Sequence, residues 1–398
     1  MAGRRVAFVF GRSVSYPPNI HNLKSYYVTK ELVSRGDRVV WVRLGGKGKT
    51  HFAEGIEFTR ISLSPTNALF TAFSLLKLVL FCVARRIQIA YLDEWLFFRH
   101  RPISRLAAVI GLRISGAKVV LDERDPLVDF ETATRELSRT SKGIQRTIRA
   151  AGLGERLSSL VILTSMSYEQ LYISDGFPAK KVFGTIRGVD TKLFNPLANP
   201  DSVRSKLGLG DKFVIGWFGL MHPYRQIKEI LVPIARGIDN GIPGAHVLIG
   251  GEGPLFSEFQ SLSKEEDVPA TVLGLIPYPE LPTYIAACDV LLCPVDARFR
   301  FTQNSAWLKI IEALAVGRPV IAARTKISEL DYRDLRGVIW VESDLENFTK
   351  ALLELKGNYS KYLSQAQDQA HHIENFSVSK TIVRIVDRVE LLVGGSTG

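Results

Sequence analysis

Cysteine is scarce. The 398 residues hold three, Cys82, Cys288 and Cys293, and none stands in a metal-type Cys-x-x-Cys pair. A disulfide framework is thereby excluded, and a reducing, cytoplasmic setting is expected. Long apolar runs are lacking too. The longest, Leu69 to Ala84, carries Lys77 and is short for a bilayer span. The opening residues 1–10 include basic side chains, but their apolar stretch is too short for a secretory signal. There is no Asp-x-Asp element and no His cluster to hold a metal. No Gly-x-Gly-x-x-Gly follows Gly11, which argues against a nicotinamide-dependent oxidoreductase. Low-complexity segments and short repeats are absent as well.

Positive charge is plentiful, and it is uneven. The net charge of +11 divides into +14 over residues 1–200 and −3 over residues 201–398. Such a swing turns the first half toward something anionic, whether nucleic acid, lipid surface or phosphorylated substrate. The basic residues are scattered and form no recognition module, so no nucleic-acid partner is expected. The apolar run is followed by Arg85 and Arg86, then by Trp95, Phe97, Phe98, Arg99, His100 and Arg101. Aromatic and basic residues so mixed suit peripheral contact with an anionic membrane, here the inner face of the cytoplasmic membrane. A buried core helix followed by a basic loop fits the same residues.

Strand and helix patterns alternate along almost the whole chain. Val6–Phe10, Arg38–Val42, Ile89–Leu92, Lys118–Leu121, Leu160–Thr164 and Val182–Ile186 read as strands with helical spacing between them. Continuous apolar strands of this kind belong to parallel sheets covered on both faces. The pattern pauses at the turn-rich Asn195–Pro200 and restarts at Phe213–Phe218. Further strands follow at His246–Ile249, Thr271–Leu275, Val290–Pro294, Pro319–Ala322 and Gly337–Val341. The expected class is therefore α/β, with two doubly wound units. Residues 1–200 form the first, 201–375 the second, and 376–398 a terminal helix that packs back on the first. Sheets of this type bind ligands outside the carboxyl ends of their strands, so a cleft between the units is expected to hold substrates.

The most specific stretch is Ser305-Ala-Trp-Leu-Lys309-Ile-Ile-Glu312-Ala-Leu-Ala-Val-Gly317-Arg-Pro319-Val-Ile-Ala322. It reads as a helix starting near Ser305 and stopped by Gly317. A helix N-terminus offers free N–H groups and a positive dipole end to a phosphate. Lys309 and Glu312 lie three apart and share a face. The lysine can neutralise a diphosphate and the carboxylate can accept both hydroxyls of a ribose. Taken alone, the pair also fits a surface ion pair on an amphipathic helix.

The run Lys309-x-x-Glu312-Ala-Leu-Ala-x-Gly317-x-Pro319-Val-Ile321 resembles the donor-binding signature of glycosyltransferase family 4, whose fold is GT-B: two Rossmann-like doubly wound domains facing across a cleft. Other pieces follow in the family's order. Phe218-Gly219-Leu-Met-His-Pro-Tyr-Arg225 resembles its phosphate-binding loop, and Val247-Leu-Ile-Gly250-Gly-Glu-Gly253-Pro254 its Gly-x-Gly-Pro turn. Gly274-Leu275 through Glu280-Leu281 resembles its base-binding segment, and Thr164-Ser165 through Gly188-Val189-Asp190 the end of its first domain. The resemblance covers about 160–322; the first 150 residues share mainly architecture.

The resemblance implies a retaining hexosyltransferase. It would move a sugar from a UDP- or GDP-linked nucleotide-diphosphate sugar to a hydroxyl of a glycan or lipid-linked acceptor, as in polysaccharide or glycolipid biosynthesis. No cofactor is implied, the nucleotide sugar being a co-substrate. Glu312, Asn304, Ser305, Ala306, Leu275, Gly219 and Gly253 would bind the donor, while Arg225, Lys309 and Asp125 would serve catalysis. Asn304 stands where the family has the first Glu of its Glu-x7-Glu pair, and Leu220 replaces a basic residue. Arg187 stands where Asn usually precedes Gly-Val-Asp. Arg12, Ser13 and Arg124 would lie on the acceptor side, Arg124 and Asp125 within Asp122-Glu-Arg-Asp-Pro126 after a strand. The departures at Asn304 and Leu220 leave open a non-catalytic GT-B scaffold, or another GT-B enzyme such as a nucleotide-sugar epimerase.

Overall fold

Among the described residues thirteen strands build two parallel sheets, and each sheet owes its depth to strands apolar on both faces. A computed structural model describes residues 3–10, 23–44, 56–61, 68–93, 102–123, 126, 129, 142–237 and 242–394. The first sheet has seven strands in the order β3-β2-β1-β4-β5-β6-β7. These are β1 (Arg5–Phe10), β2 (Arg38–Leu44), β3 (Glu57–Ile61), β4 (Ile89–Asp93), β5 (Lys118–Glu123), β6 (Leu160–Leu163) and β7 (Val182–Gly184). Val6 to Val9, Ile89 to Leu92 and Leu160 to Leu163 are buried without a break, which explains the unalternating runs. β3 went unread because Glu57-Phe-Thr-Arg-Ile61 mixes polar and apolar residues, as an edge strand does.

The second sheet has the order β10-β9-β8-β11-β12-β13. Its strands are β8 (Phe213–Leu220), β9 (Ala245–Glu252), β10 (Ala270–Leu273), β11 (Val290–Cys293), β12 (Val320–Ala323) and β13 (Val338–Val341). In both sheets the chain runs outward from a central strand and then returns to that strand's other side. The switch points fall between β1 and β4 and between β8 and β11. Side chains at the carboxyl ends of those four strands are accordingly the ones positioned to meet a ligand.

Contacts divide the chain into Met1–Ile186 with Ser379–Gly398, and Arg187–Val378. The turn-rich Asn195–Pro200 stretch lies inside the second unit. There Val189 pairs with Ser377, and a Cβ on Gly188 would stand 2.3 Å from Val378 Cα, so only glycine fits. The last helix, Val378–Gly394, is fastened to the first unit by charge. Arg4 Nη2 meets Glu390 at 2.5 Å and Arg35 Nη1 meets Asp387 at 2.6 Å. No helix among the described residues is long and apolar enough to cross a membrane.

Candidate nucleotide-diphosphate site

In the second unit β8 ends in Phe218-Gly219-Leu220, and the chain turns through the 3₁₀ segment Pro223–Arg225 into the helix Ile227–Arg236. Across the switch point, β11 leads to the short helix Arg300–Asn304 and then to the helix Leu308–Ala315. The second helix begins at Leu308, three residues later than Ser305. Ser305 and Trp307 are extended, with φ/ψ of −80/130° and −84/98°. Trp307 holds that connector open: its ring packs edge-on against Phe301 at 5.7 Å and beneath the Arg225 guanidinium at 4.0 Å.

Lys309 and Glu312 project from this helix into one pocket, lined also by Phe218, Ile285, Cys293 and Val320. Lys309 Nζ lies 4.3 Å from the centre of the Trp217 ring. It is buried and has no hydrogen-bond partner, and the same holds for Arg225 Nε and Nη1 and for Glu312 Oε1. Burial, with Arg225 adding repulsion, pulls the Lys309 ammonium down to about 7. Burial pushes the Glu312 carboxyl up to about 7, against the opposing pull of Lys309 and the Tyr278 hydroxyl. Unsatisfied buried polar atoms are rare in folded chains and costly. Two cationic groups with unspent N–H donors beside one unspent carboxylate oxygen fit a ligand with an anionic end and hydroxyls nearby.

Gly219 makes room for this arrangement. Its φ is +149°, and a Cβ there would approach Lys309 Nζ to 2.7 Å. Gly253, at the end of the β9 turn, has φ +148°, and its Cβ would strike Met221 O at 2.4 Å. Only glycine lets these two turns lie against each other.

The remaining sequence-derived residues are placed as follows. Asn304 is buried and donates from Nδ2 to Arg300 O at 2.8 Å. Ser305 and Ala306 are buried, and Ser305 Oγ has no partner. Leu275 is largely exposed beyond β10, and Leu220 is exposed beside Gly219. Arg12, Ser13, Arg124 and Asp125 lie outside the described residues, as do Trp95, Phe97, Phe98, Arg99, His100 and Arg101. Asp122 and Glu123 belong to strand β5 rather than to a turn after it, and both are buried. Tyr91 Oη donates to Asp122 at 2.6 Å, and Lys24 Nζ meets the same carboxylate at 2.6 Å. Ser25 donates to Asp93 at the carboxyl end of β4. Sequence reasoning missed Lys24, Trp217, Trp307 and Tyr278. The tryptophans carried a signal, since each sits within two residues of a motif glycine or lysine.

Residues 212–358 match the family model of the glycosyl transferases group 1. No curated protein matches. Among solved structures, the chain is similar to Anabaena HepE in complex with UDP and glucose, at 18% identity and TM-score 0.70, over 97% of this chain and 99% of that one. It is similar to the sucrose-phosphate synthase of Thermosynechococcus elongatus at 15% identity and TM-score 0.72, over 99% and 100%. WaaG, a glycosyltransferase involved in lipopolysaccharide biosynthesis, follows at 13% and 0.67, over 98% and 100%. At such identities the likeness establishes fold, and the family match establishes the segment that carries Gly219, Arg225, Lys309 and Glu312. The chain thus has the GT-B fold, and within its second unit residues 212–358 are similar to the glycosyl transferases group 1.

Proposed function

We propose that this chain is a retaining glycosyltransferase of family 4 type, moving a sugar from a UDP-linked donor to a hydroxyl of a glycan or lipid-linked acceptor. The observation that carries the reading is the set of buried donors without hydrogen-bond acceptors, Lys309 Nζ and Arg225 Nε and Nη1, together with Glu312 Oε1, which has no donor. In this reading Glu312 accepts the ribose hydroxyls of the donor, and Arg225 and Lys309 hold the diphosphate. Asn304, Ser305 and Ala306 border the transferred sugar, while Leu275 and Gly253 flank the nucleotide. The Anabaena HepE complexes with UDP and UDP-glucose support the choice of uracil over guanine.

The reaction breaks the bond from the anomeric carbon to the diphosphate oxygen and forms one from the acceptor oxygen on the same face. The acceptor's proton leaves with the diphosphate. Charge growing on that diphosphate is met by Arg225 and by Lys309, which the bound diphosphate keeps protonated, and electrostatic stabilisation acts most strongly there. Asp125, Arg124, Arg12 and Ser13 are assigned to the acceptor side, and contact with an anionic membrane would bring a lipid-linked acceptor there.

Thermal stabilisation by UDP, GDP, ADP and NAD tests the reading. A ligand at about 100 times its dissociation constant adds roughly 2.7 kcal/mol. UDP is expected to raise the melting temperature most, and a response to NAD alone would overturn the proposal.

A further inference from the structure

Three helices cover one face of the first sheet. The helix Ala68–Ala84 packs beside Pro102–Ile114, which packs beside Lys142–Leu157. The first two approach closely, since a Cβ on Gly111 would meet Val79 at 2.7 Å. Their inner rows are ordinary core: Ser74, Leu78 and Cys82 from the first, Ala108, Val109 and Leu112 from the second. Their outer rows are not ordinary surface. Phe73, Leu76, Leu80 and Val83 recur at steps of three and four, and each is more than half exposed. Ile103, Ile110 and Ile114 recur at seven and four on the neighbouring helix, Ile103 and Ile114 being three-quarters exposed. Solvent-facing helical rows are normally polar. Two adjacent apolar rows, each about 15 Å long at 1.5 Å per residue, make a patch of the kind that marks an interaction site.

The charge on the same face decides what the patch fits. Across these three helices the one acidic residue is Glu155, buried against Arg105. The exposed charged side chains are all basic: Lys77, Arg113, Lys142, Arg146, Arg149 and Arg156. Arg146 and Arg149 lie on the outer side of the third helix near exposed Leu153, whereas Arg156 is engaged locally, donating from Nη1 to Gly176 O at 2.9 Å and from Nη2 to Asp175 O at 3.2 Å. The order across the face is therefore apolar row, apolar row, basic row. A protein partner would be expected to meet such a surface with acids, whereas a sheet of anionic headgroups over acyl chains meets both parts at once.

We propose that this three-helix face docks the first unit onto an anionic lipid surface, the apolar rows entering the headgroup–acyl boundary and the arginine row lying on the phosphates. The proposal names the surface for the membrane contact invoked above, and only its link to a lipid-linked acceptor rests on the transferase reading.

Flotation of the full chain with phosphatidylcholine vesicles, with and without phosphatidylglycerol, tests it. Binding is expected to the anionic vesicles, weakening with salt. Leu76→Ser with Leu80→Ser is expected to abolish it. Arg146→Gln with Arg149→Gln is expected to weaken it on the order of thirtyfold, taking each basic residue at its usual contribution near an anionic surface. Both variants alter exposed side chains, and UDP-induced thermal stabilisation equal to the parent's checks that they are folded. Failure of the parent to bind either vesicle would overturn the proposal. So would serine variants that bind like the parent, or a parent dimer that they split without vesicle binding in either form. Vesicle binding without any nucleotide response would instead sink the transferase reading and leave the docking face standing.

Discussion

Lys309→Met is expected to separate affinity from stability. In the empty protein the Lys309 ammonium is buried without a hydrogen bond and lies near Arg225. A buried charge without a hydrogen bond carries a desolvation cost, so an apolar side chain of similar length is expected to leave stability equal or raise it. In the complex the same group would donate to a diphosphate oxygen. A hydrogen bond to a charged group contributes about 1.5–3 kcal/mol, so its loss should weaken UDP binding by roughly ten- to a hundredfold. Calorimetry and thermal melting should therefore move in opposite directions: weaker UDP binding, with an equal or higher melting temperature. Unchanged UDP affinity in this variant would remove Lys309 from the diphosphate.

The second expected result is a proton exchange that changes sign with pH. Lys309, lowered to about 7 from 10.5, is mostly neutral at pH 8. A diphosphate beside it favours the charged form, so binding takes up a proton, about one at most. Glu312, raised to about 7 from 4.5, is mostly protonated at pH 6. Ribose hydroxyls donating to it favour the carboxylate, so binding there releases a proton. The ligand should be UDP-glucose, whose diphosphate lacks the terminal group that titrates near pH 6. Binding heats in buffers of different ionisation enthalpy should show uptake at pH 8 and release at pH 6. Glu312→Gln should erase the release and Lys309→Met the uptake.

The same shifts set the stability of the empty protein. The penalty from Lys309 is full below about pH 7 and fades as pH rises toward 10.5. That from Glu312 is absent below 4.5 and full above about 7. Lys309→Met should therefore gain most stability at pH 7 and below.

The parallel sheets were legible in the sequence because buried strands carry unbroken apolar runs and their intervening helices carry a different period. β3 was not, because an edge strand faces solvent and loses that signature. The start of the helix at Leu308 was misplaced for a local reason. Ser305 is a good capping residue by type, yet the helix waits three residues because Trp307 packs on Phe301 and Arg225 and keeps the backbone extended. Lys309 and Glu312 were legible through their spacing on one helix. The aromatic rings beneath the cations were not, since Trp217 on β8 reaches Lys309 only through the fold. The outer apolar rows were hidden for a related reason. The sequence shows an apolar helix over 68–84, but only packing reveals that Leu78 and Cys82 are enough to hold it and that Leu76 and Leu80 are left outside.

The central claim is that an activated sugar lies against Lys309, Arg225 and Glu312. A crystal structure with bound UDP-glucose tests it most directly. Diphosphate oxygens within hydrogen-bond distance of Arg225 and Lys309 Nζ, and ribose hydroxyls on Glu312, are the predicted result. A nucleotide bound elsewhere, with Lys309 and Glu312 still sealed in the protein, would contradict it.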